Sequence, residues 1–465
     1  MPRRIQFASG LFLLLLIALF SMTPMQTTEA QTGGPTATPN DPLWLAFAGV
    51  RDALEDKFSV DLTIVQRWTF EEYEFVDGID SCVTLDDPTT ARLLYFGWRF
   101  IITGLNGRQY EGRSSFDHTI ITACDTVTEA SPAATAAPGT GLPAPVAGAG
   151  ATGSFELGGH VLEISTNAVN LARRSGMTWI KKQVRYTPGQ DASSAAGLIN
   201  AAHTNGFKIL LGIVGDRNAL GANFDSYIQG FASYLGSVAA AGADAIEVWN
   251  EPNLDREWPT GQVNGASYTR MLAAAFNAIK GSNANTIVIS AAPAPTGFWG
   301  SAGCAANGCN DDTFMQQMSA AGAANYMDCV GLHYNEGIIP PSQTSGDPRG
   351  GYPTYYFQSM LGRGLAPFGG KPACWTELGY LTPAGYSTPL PANFAWGQNT
   401  TVAQQASWLA DAAVRSAQSG RVRLMIVWNV DFSLYTADDP QGGYAMLRPD
   451  GSCPACDALG TVMRR

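Results

Sequence analysis

Two glutamates carry the strongest chemical signal in this chain. One lies in Ala245-Ile246-Glu247-Val248-Trp249-Asn250-Glu251-Pro252-Asn253. The other lies in Lys371-Pro372-Ala373-Cys374-Trp375-Thr376-Glu377-Leu378-Gly379-Tyr380. Each follows a short apolar run that reads as a strand, so each carboxylate is expected at a strand's carboxyl end. Pro252 lacks a backbone donor and suits the point where the chain leaves a sheet. Parallel α/β proteins assemble their sites at those ends. Two carboxylates across one cleft can break a glycosidic bond: one protonates the leaving oxygen, the other attacks the sugar carbon or activates water. The plainer alternative is a pair of solvated loop carboxylates.

The elements that must hold them repeat as strand, helix, strand, helix from Phe155 onward, which points to a parallel sheet. Strands are predicted at Phe155–Leu162, Thr178–Tyr186, Phe207–Val214, Asp244–Trp249, Thr286–Ala291, Met327–His333, Lys371–Thr376 and Arg423–Trp428. The intervening stretches carry helical spacing, for example Phe224, Tyr227, Phe231, Tyr234 and Val238, or Tyr268, Leu272, Phe276 and Ile279. Eight strands alternating with eight helices over residues 154–465 fit an α/β fold of the (β/α)8 TIM barrel type, preceded by a small α+β domain. The count rests on hydrophobic pattern alone, and it puts Glu251 after strand 4 and Glu377 after strand 7.

Trp249-Asn250-Glu251-Pro252, followed by the later Trp375-Thr376-Glu377, resembles the clan A retaining glycoside hydrolases, families 5 and 39 most, over about residues 155–465. The resemblance implies a (β/α)8 barrel, a β-linked sugar substrate, and cleavage by double displacement. It implies that Glu251 is the general acid/base and Glu377 the nucleophile, with the carboxyl groups about 5–5.5 Å apart. Glu251 would then need a raised pKa, supplied by partial burial and by the charge of Glu377. Asn250 would bond the sugar 2-hydroxyl. Arg185 would bond the nucleophile, although Lys181, Gln183 and Arg185 share one strand face and which of them points inward is open. His333 and Tyr334, at the end of strand 6, would lie near the nucleophile, a core histidine being the plainer reading. Trp428 would form the floor of the reacting subsite by stacking. The loop from Asn335 to Tyr356 would wall the cleft, with Tyr352, Tyr355 and Tyr356 as sugar platforms. This mechanism requires no cofactor and no metal. A non-catalytic carbohydrate-binding barrel at the cell surface and a transglycosylase using the same carboxylates are the alternatives; retention of both glutamates argues against the first.

The rest of the chain gives the setting. With 465 residues and a net charge of −11, the protein is an unsuitable general partner for nucleic acid. Residues 1–30 read as a signal peptide: Arg3 and Arg4, the apolar run Leu11–Phe20, and a small-residue cleavage region near Ala30. The expected location is secreted or extracytoplasmic, as a monomer with no membrane span after cleavage, meeting a polysaccharide or oligosaccharide. Export permits disulfides. Cys82 and Cys124 are candidates to pair, Cys304 with Cys309 and Cys453 with Cys456 read as local bridges, and Cys329 and Cys374 read as buried thiols. Residues 41–128 form the small domain, one helix on an antiparallel sheet, with no catalytic constellation; Trp68, Tyr73 and Trp98 are either core or sugar platforms. Residues 129–153, almost all Ala, Pro, Thr and Gly, read as an extended linker that favours a separately tumbling module.

Overall fold

The computed structural model describes residues 42–63, 65–76, 78–80, 82, 94–105, 107–128, 142–146 and 153–463. The signal-peptide reading of residues 1–30 lies outside them. Among the described residues, no helix is long and apolar enough to cross a membrane.

In the small domain, the helix Pro42–Phe58 covers a four-stranded antiparallel sheet whose strands, Val65–Val76, Leu94–Gly104, Gln109–Ser115 and Ile121–Thr128, neighbour one another in chain order. Phe47, Val50 and Leu54 of the helix bury against Phe70, Phe100, Ile102 and Tyr110 of the sheet. The third and fourth of these strands are joined by a short turn. Between them Asp117 accepts bonds from Ser115 Oγ and Thr119 and closes a turn. Trp68 stacks on Phe47 at 4.0 Å within this core, and Trp98 packs against Phe116 and His118. The side chain of Tyr73 lies outside the described residues. Cys82 and Cys124 are joined.

Within the linker composition, residues 142–146 are docked on the barrel. Asn277 Nδ2 donates to the Ala144 carbonyl, its Oδ1 accepts from the Val146 amide, and the Tyr326 hydroxyl donates to the Pro143 carbonyl. Leu142 also packs against the barrel core, and the remaining contacts are made by backbone groups, of which the composition gives no sign.

The barrel strands are β1 (Glu156–His160), β2 (Trp179–Arg185), β3 (Lys208–Val214), β4 (Ala245–Val248), β5 (Ile287–Ser290), β6 (Val330–Tyr334), β7 (Ala373–Leu378) and β8 (Val422–Val427). They pair in parallel in chain order, and β8 pairs with β1. A parallel bridge between Ile289 and Cys329, with the Asp328 amide donating to the Val288 carbonyl, closes the ring between β5 and β6. The fold is therefore a (β/α)8 TIM barrel. Strands such as Lys-Ile-Leu-Leu-Gly-Ile-Val in β3 and Val-Arg-Leu-Met-Ile-Val in β8 are apolar almost throughout because helices cover one face and the barrel interior the other. Helix starts carry their own signals: Ser165, Asp216, Asn223 and Asn264 cap first turns, and Thr401 with Gln404 forms a capping box.

The interior is layered. The floor is Trp179, Leu210, Ala245, Ile289, Cys329, Cys374, Leu424 and Ile426. Cys329 and Cys374 are not free thiols; they are bonded, with Cα atoms 5.8 Å apart. Adjacency of β6 and β7 brings together two residues that are 45 apart in sequence. The two local pairs are bonded as expected. Above the floor lies an ion pair between Lys181 on β2 and Glu247 on β4, Nζ to Oε2 2.8 Å, both fully buried. Gly212 on β3 stands between them. A Cβ there would sit 3.2 Å from Glu247 Oε2 and 3.3 Å from Lys181 Cε, so the missing side chain makes room for the pair.

Candidate active site

Glu251 and Glu377 meet at the carboxyl ends of β4 and β7, joined through one imidazole. His333 Nδ1, on β6, lies 3.1 Å from Glu251 Oε1 and 3.8 Å from Glu377 Oε2. All three side chains are buried. Of the adjacent pair His333 and Tyr334, only one can face the interior, since neighbouring strand residues point to opposite faces. His333 does. Tyr334 instead packs among Phe357, Trp375 and Tyr380 in the strand–helix layer, and its hydroxyl donates to the Tyr355 carbonyl. It does not line the site.

Glu377 is the last residue but one of β7, so the strand runs through the carboxylate rather than ending before it. Lys181 Nζ stands 3.7 Å from its Oε1 and also donates to the Thr376 carbonyl. Asn335 Nδ2 donates to its Oε2 at 3.3 Å. The cation beside Glu377 is thus Lys181 rather than Arg185. Arg185 is at the exposed end of the same strand face, with about two thirds of its side chain in solvent, and faces Glu257 at 3.7 Å. Alternation gives the face correctly; depth along the strand decides which member is inside.

Glu251 is presented by an unusual backbone. Trp249 has φ of 80° and Glu251 a φ of 43°, both in the left-handed region that non-glycine residues seldom adopt. The turn is over-determined by its contacts. The Trp249 indole is buried and donates to the Glu257 carbonyl. The Glu251 amide donates to the Ala292 carbonyl. Asn253 bonds both the amide and the carbonyl of Ala294 as well as the Cys309 carbonyl, tying the loop after β4 to the one after β5. Asn250, held between the two left-handed residues, is half-buried, and its Oδ1 is buried without a partner among the described residues. Arg256, further along the same loop, pairs with Glu251 Oε2.

Burial disfavours the charge on Glu251, but the His333 hydrogen bond and the Arg256 charge outweigh it and hold the carboxyl at about 2. This reverses the raised value expected for an acid/base, because neither partner is visible in the motif. Glu377 is raised by burial, only partly offset by the charges of His333 and Lys181. Burial works against the His333 cation too, yet the charge of Glu377 and the hydrogen bond to Glu251 raise it above its ordinary value. Lys181 is likewise raised, with Glu247 and Glu377 overcoming its burial. The site thus sets an imidazole of raised proton affinity between two carboxyl groups, over the buried Lys181–Glu247 ion pair.

The remaining residues frame this group. Trp428, directly after β8, is half-buried and packs edge-on to His160 at 5.0 Å and to Phe432 at 5.1 Å. His160 ends β1, is buried, and its Nδ1 has no partner among the described residues; burial and then the charges of Lys181, Lys182 and His333 keep it well below its ordinary value and so neutral. The wall formed by residues 335–356 is pinned by Arg349, which pairs with Asp347 and lies over the rings of Tyr355 and Trp396 at 3.9 and 4.9 Å. The Tyr356 hydroxyl donates to the Gly350 carbonyl and that of Tyr352 to the Thr296 carbonyl. These tyrosines brace the loop rather than presenting free platforms. Sequence reasoning missed Lys181 as the inward member of its face, and it missed Asn335, Arg256 and His160. His160 carried a usable signal, a polar residue closing an apolar strand, whereas Arg256 lies in a loop without periodicity. No group of three or more His, Cys, Asp or Glu among the described residues could hold a metal ion.

No family model and no curated protein matches the chain. Among solved structures it is similar to a family 39 glycoside hydrolase from the gut symbiont Bacteroides cellulosilyticus, with 16% identity over 85% of this chain and 76% of that one and a TM-score of 0.48. It is also similar to the catalytic domain of a Thermobifida fusca endoglucanase, with 14% identity, 67% and 92% coverage and a TM-score of 0.38. A broad-specificity endoglucanase from Bacteroides salanitronis gives 12% identity, 68% and 96% coverage and a TM-score of 0.44. These likenesses are distant, and the reading of the site rests on its own geometry.

Proposed function

We propose that this chain is an exported retaining glycoside hydrolase acting on β-linked polysaccharide or oligosaccharide. The observation that carries the reading is the single His333 nitrogen lying within 3.1 and 3.8 Å of the two carboxylates. Those two oxygens can be no further apart than the two distances combined. That is compatible with the separation of about 5–5.5 Å used in double displacement.

In the first step Glu251, protonated, donates to the glycosidic oxygen while a Glu377 oxygen attacks the anomeric carbon. The bond to the leaving oxygen breaks, the leaving sugar departs as an alcohol, and a glycosyl ester forms on Glu377. In the second step the Glu251 carboxylate takes a proton from water. The water oxygen attacks the anomeric carbon, and the ester bond breaks to return Glu377 as a carboxylate. Lys181 and Asn335 stabilise Glu377 whenever it bears charge, and Asn250 Oδ1, without a partner among the described residues, accepts from a sugar hydroxyl. Trp428 offers its exposed face to the sugar ring. Four disulfides accord with an oxidising compartment.

The test is hydrolysis by the mature protein of a panel of β-linked polysaccharides, beside Glu251→Ala and Glu377→Ala, with the product anomer read by proton NMR in the first minutes. A β-configured first product, lost in both variants, is expected. Cleavage surviving Glu377→Ala removes the nucleophile assignment, and an α-configured first product removes retention.

A further inference from the structure

Beside Glu251, between the ends of β2, β3 and β4, lies a second concavity whose walls carry three guanidinium groups, those of Arg185, Arg217 and Arg256. They come from three separate loops. Arg185 ends β2, Arg217 starts the short helix Arg217–Ala222 after β3, and Arg256 lies on the loop after β4. Their partners do not saturate them. Arg185 faces Glu257 only at 3.7 Å. Arg217 donates through one nitrogen to the Asp255 carbonyl, a neutral acceptor. Arg256 reaches over to Glu251, with nearly two thirds of its side chain exposed. Two carboxylates share these walls with the three guanidinium groups: Asp216 is committed to capping its helix through the amides of Asn218 and Ala219, and Glu257 is the partner of Arg185. A guanidinium presents a planar fork of donors suited to carboxylate and sulfate oxygens.

We infer that this concavity is a subsite for an anionic substituent on the sugar chain, a uronate carboxylate or a sulfate ester, and that filling it draws Arg256 off Glu251. The inference deepens the glycoside hydrolase reading and rests on it for the second clause. It also gives the acid/base a route to its proton. With His333 and Arg256 both in place the Glu251 carboxyl is held ionised; with Arg256 turned to the substrate's anion, His333 alone opposes burial and the carboxyl takes up a proton more readily. A neutral chain would leave Arg256 where it is.

The experiment compares ligand pairs that differ only in charge: cello-oligosaccharides against their C6-oxidised and their C6-sulfated forms, and xylo-oligosaccharides against glucuronoxylo-oligosaccharides. Binding to the Glu377→Ala protein is measured by calorimetry, and cleavage by the wild type separately. In at least one pair the charged member is expected to bind ten-fold or more tighter at low salt. That preference should shrink at least ten-fold in the Arg185→Gln/Arg217→Gln variant and weaken with added salt. Carboxylate and sulfate arms identify which anion is taken. Binding that ignores charge in every pair, or a preference untouched by the double variant, overturns the subsite even if neutral chains are cleaved. Charged chains that bind tighter yet are never cleaved keep the subsite and overturn the hydrolase reading instead.

Discussion

The two carboxylates face one imidazole on the same rim, yet their surroundings are built differently. Glu377 belongs to a strand and is served from within the barrel by Lys181, itself locked to Glu247. Glu251 belongs to a strained turn and is served from outside by Arg256, whose guanidinium is largely in solvent. One environment is fixed by the fold and the other is open to exchange. The charges run against the proposed roles, with Glu251 held at about 2 and Glu377 raised by burial. What differs between the two regions is which of them a substrate can change: it can displace Arg256, but it cannot reach Lys181.

Chemical rescue breaks or confirms that division most forcefully. Glu251→Ala should lose about 10²–10⁴-fold in turnover, and Glu377→Ala at least as much. On an activated aryl glycoside, azide should restore both, giving a β-glycosyl azide from Glu251→Ala and an α-glycosyl azide from Glu377→Ala. The same anomer from both variants would mean the roles are misassigned. Stability gives the next largest effect. Lys181→Met leaves Glu247 and Glu377 buried without their cation and should cost about 3–5 kcal/mol by denaturant titration. Lys181→Met/Glu247→Leu should recover much of the loss, since an apolar pair of similar volume replaces the ions. A cost under 1 kcal/mol for the single change would show that the barrel interior is not holding charge as described. The smallest effect is that of pH on the shared imidazole. The folded pKa of His333 is raised, so its contribution to stability is complete below its unfolded value of about 6.5 and is lost as pH rises through the folded one. Melting curves of wild type and His333→Gln should therefore differ most at pH 6 and converge above, each tenfold gain in proton affinity on folding contributing about 1.4 kcal/mol. A gap that widens with pH would contradict the imidazolium.

The barrel is legible in the sequence because its physics is local. Strands buried on both faces become apolar runs, helices repeat every three to four residues, and the order of the two is the fold. The carboxylate pair is legible because each follows such a run. What fails does so where three dimensions decide. Lys181 and Arg185 share a face, and only depth in the barrel separates them. His333 and Tyr334 are both candidates in the sequence, although a strand turns adjacent residues apart. Arg256 acts through a loop with no period, and Cys329 finds Cys374 only once β6 lies beside β7.

That last bond has a topological consequence. The segment between residues 329 and 374 contains the whole cleft wall of residues 335–356 and the helix Phe357–Leu365, and the two cysteines tie its ends under the site. Proteases cut exposed loops first. A single nick anywhere in that wall would open the loop but leave one molecule, with His333 and Glu377 still hung from strands that share a sulfur bridge. In surroundings crowded with peptidases, a cut chain and an intact one would differ only on a reducing gel.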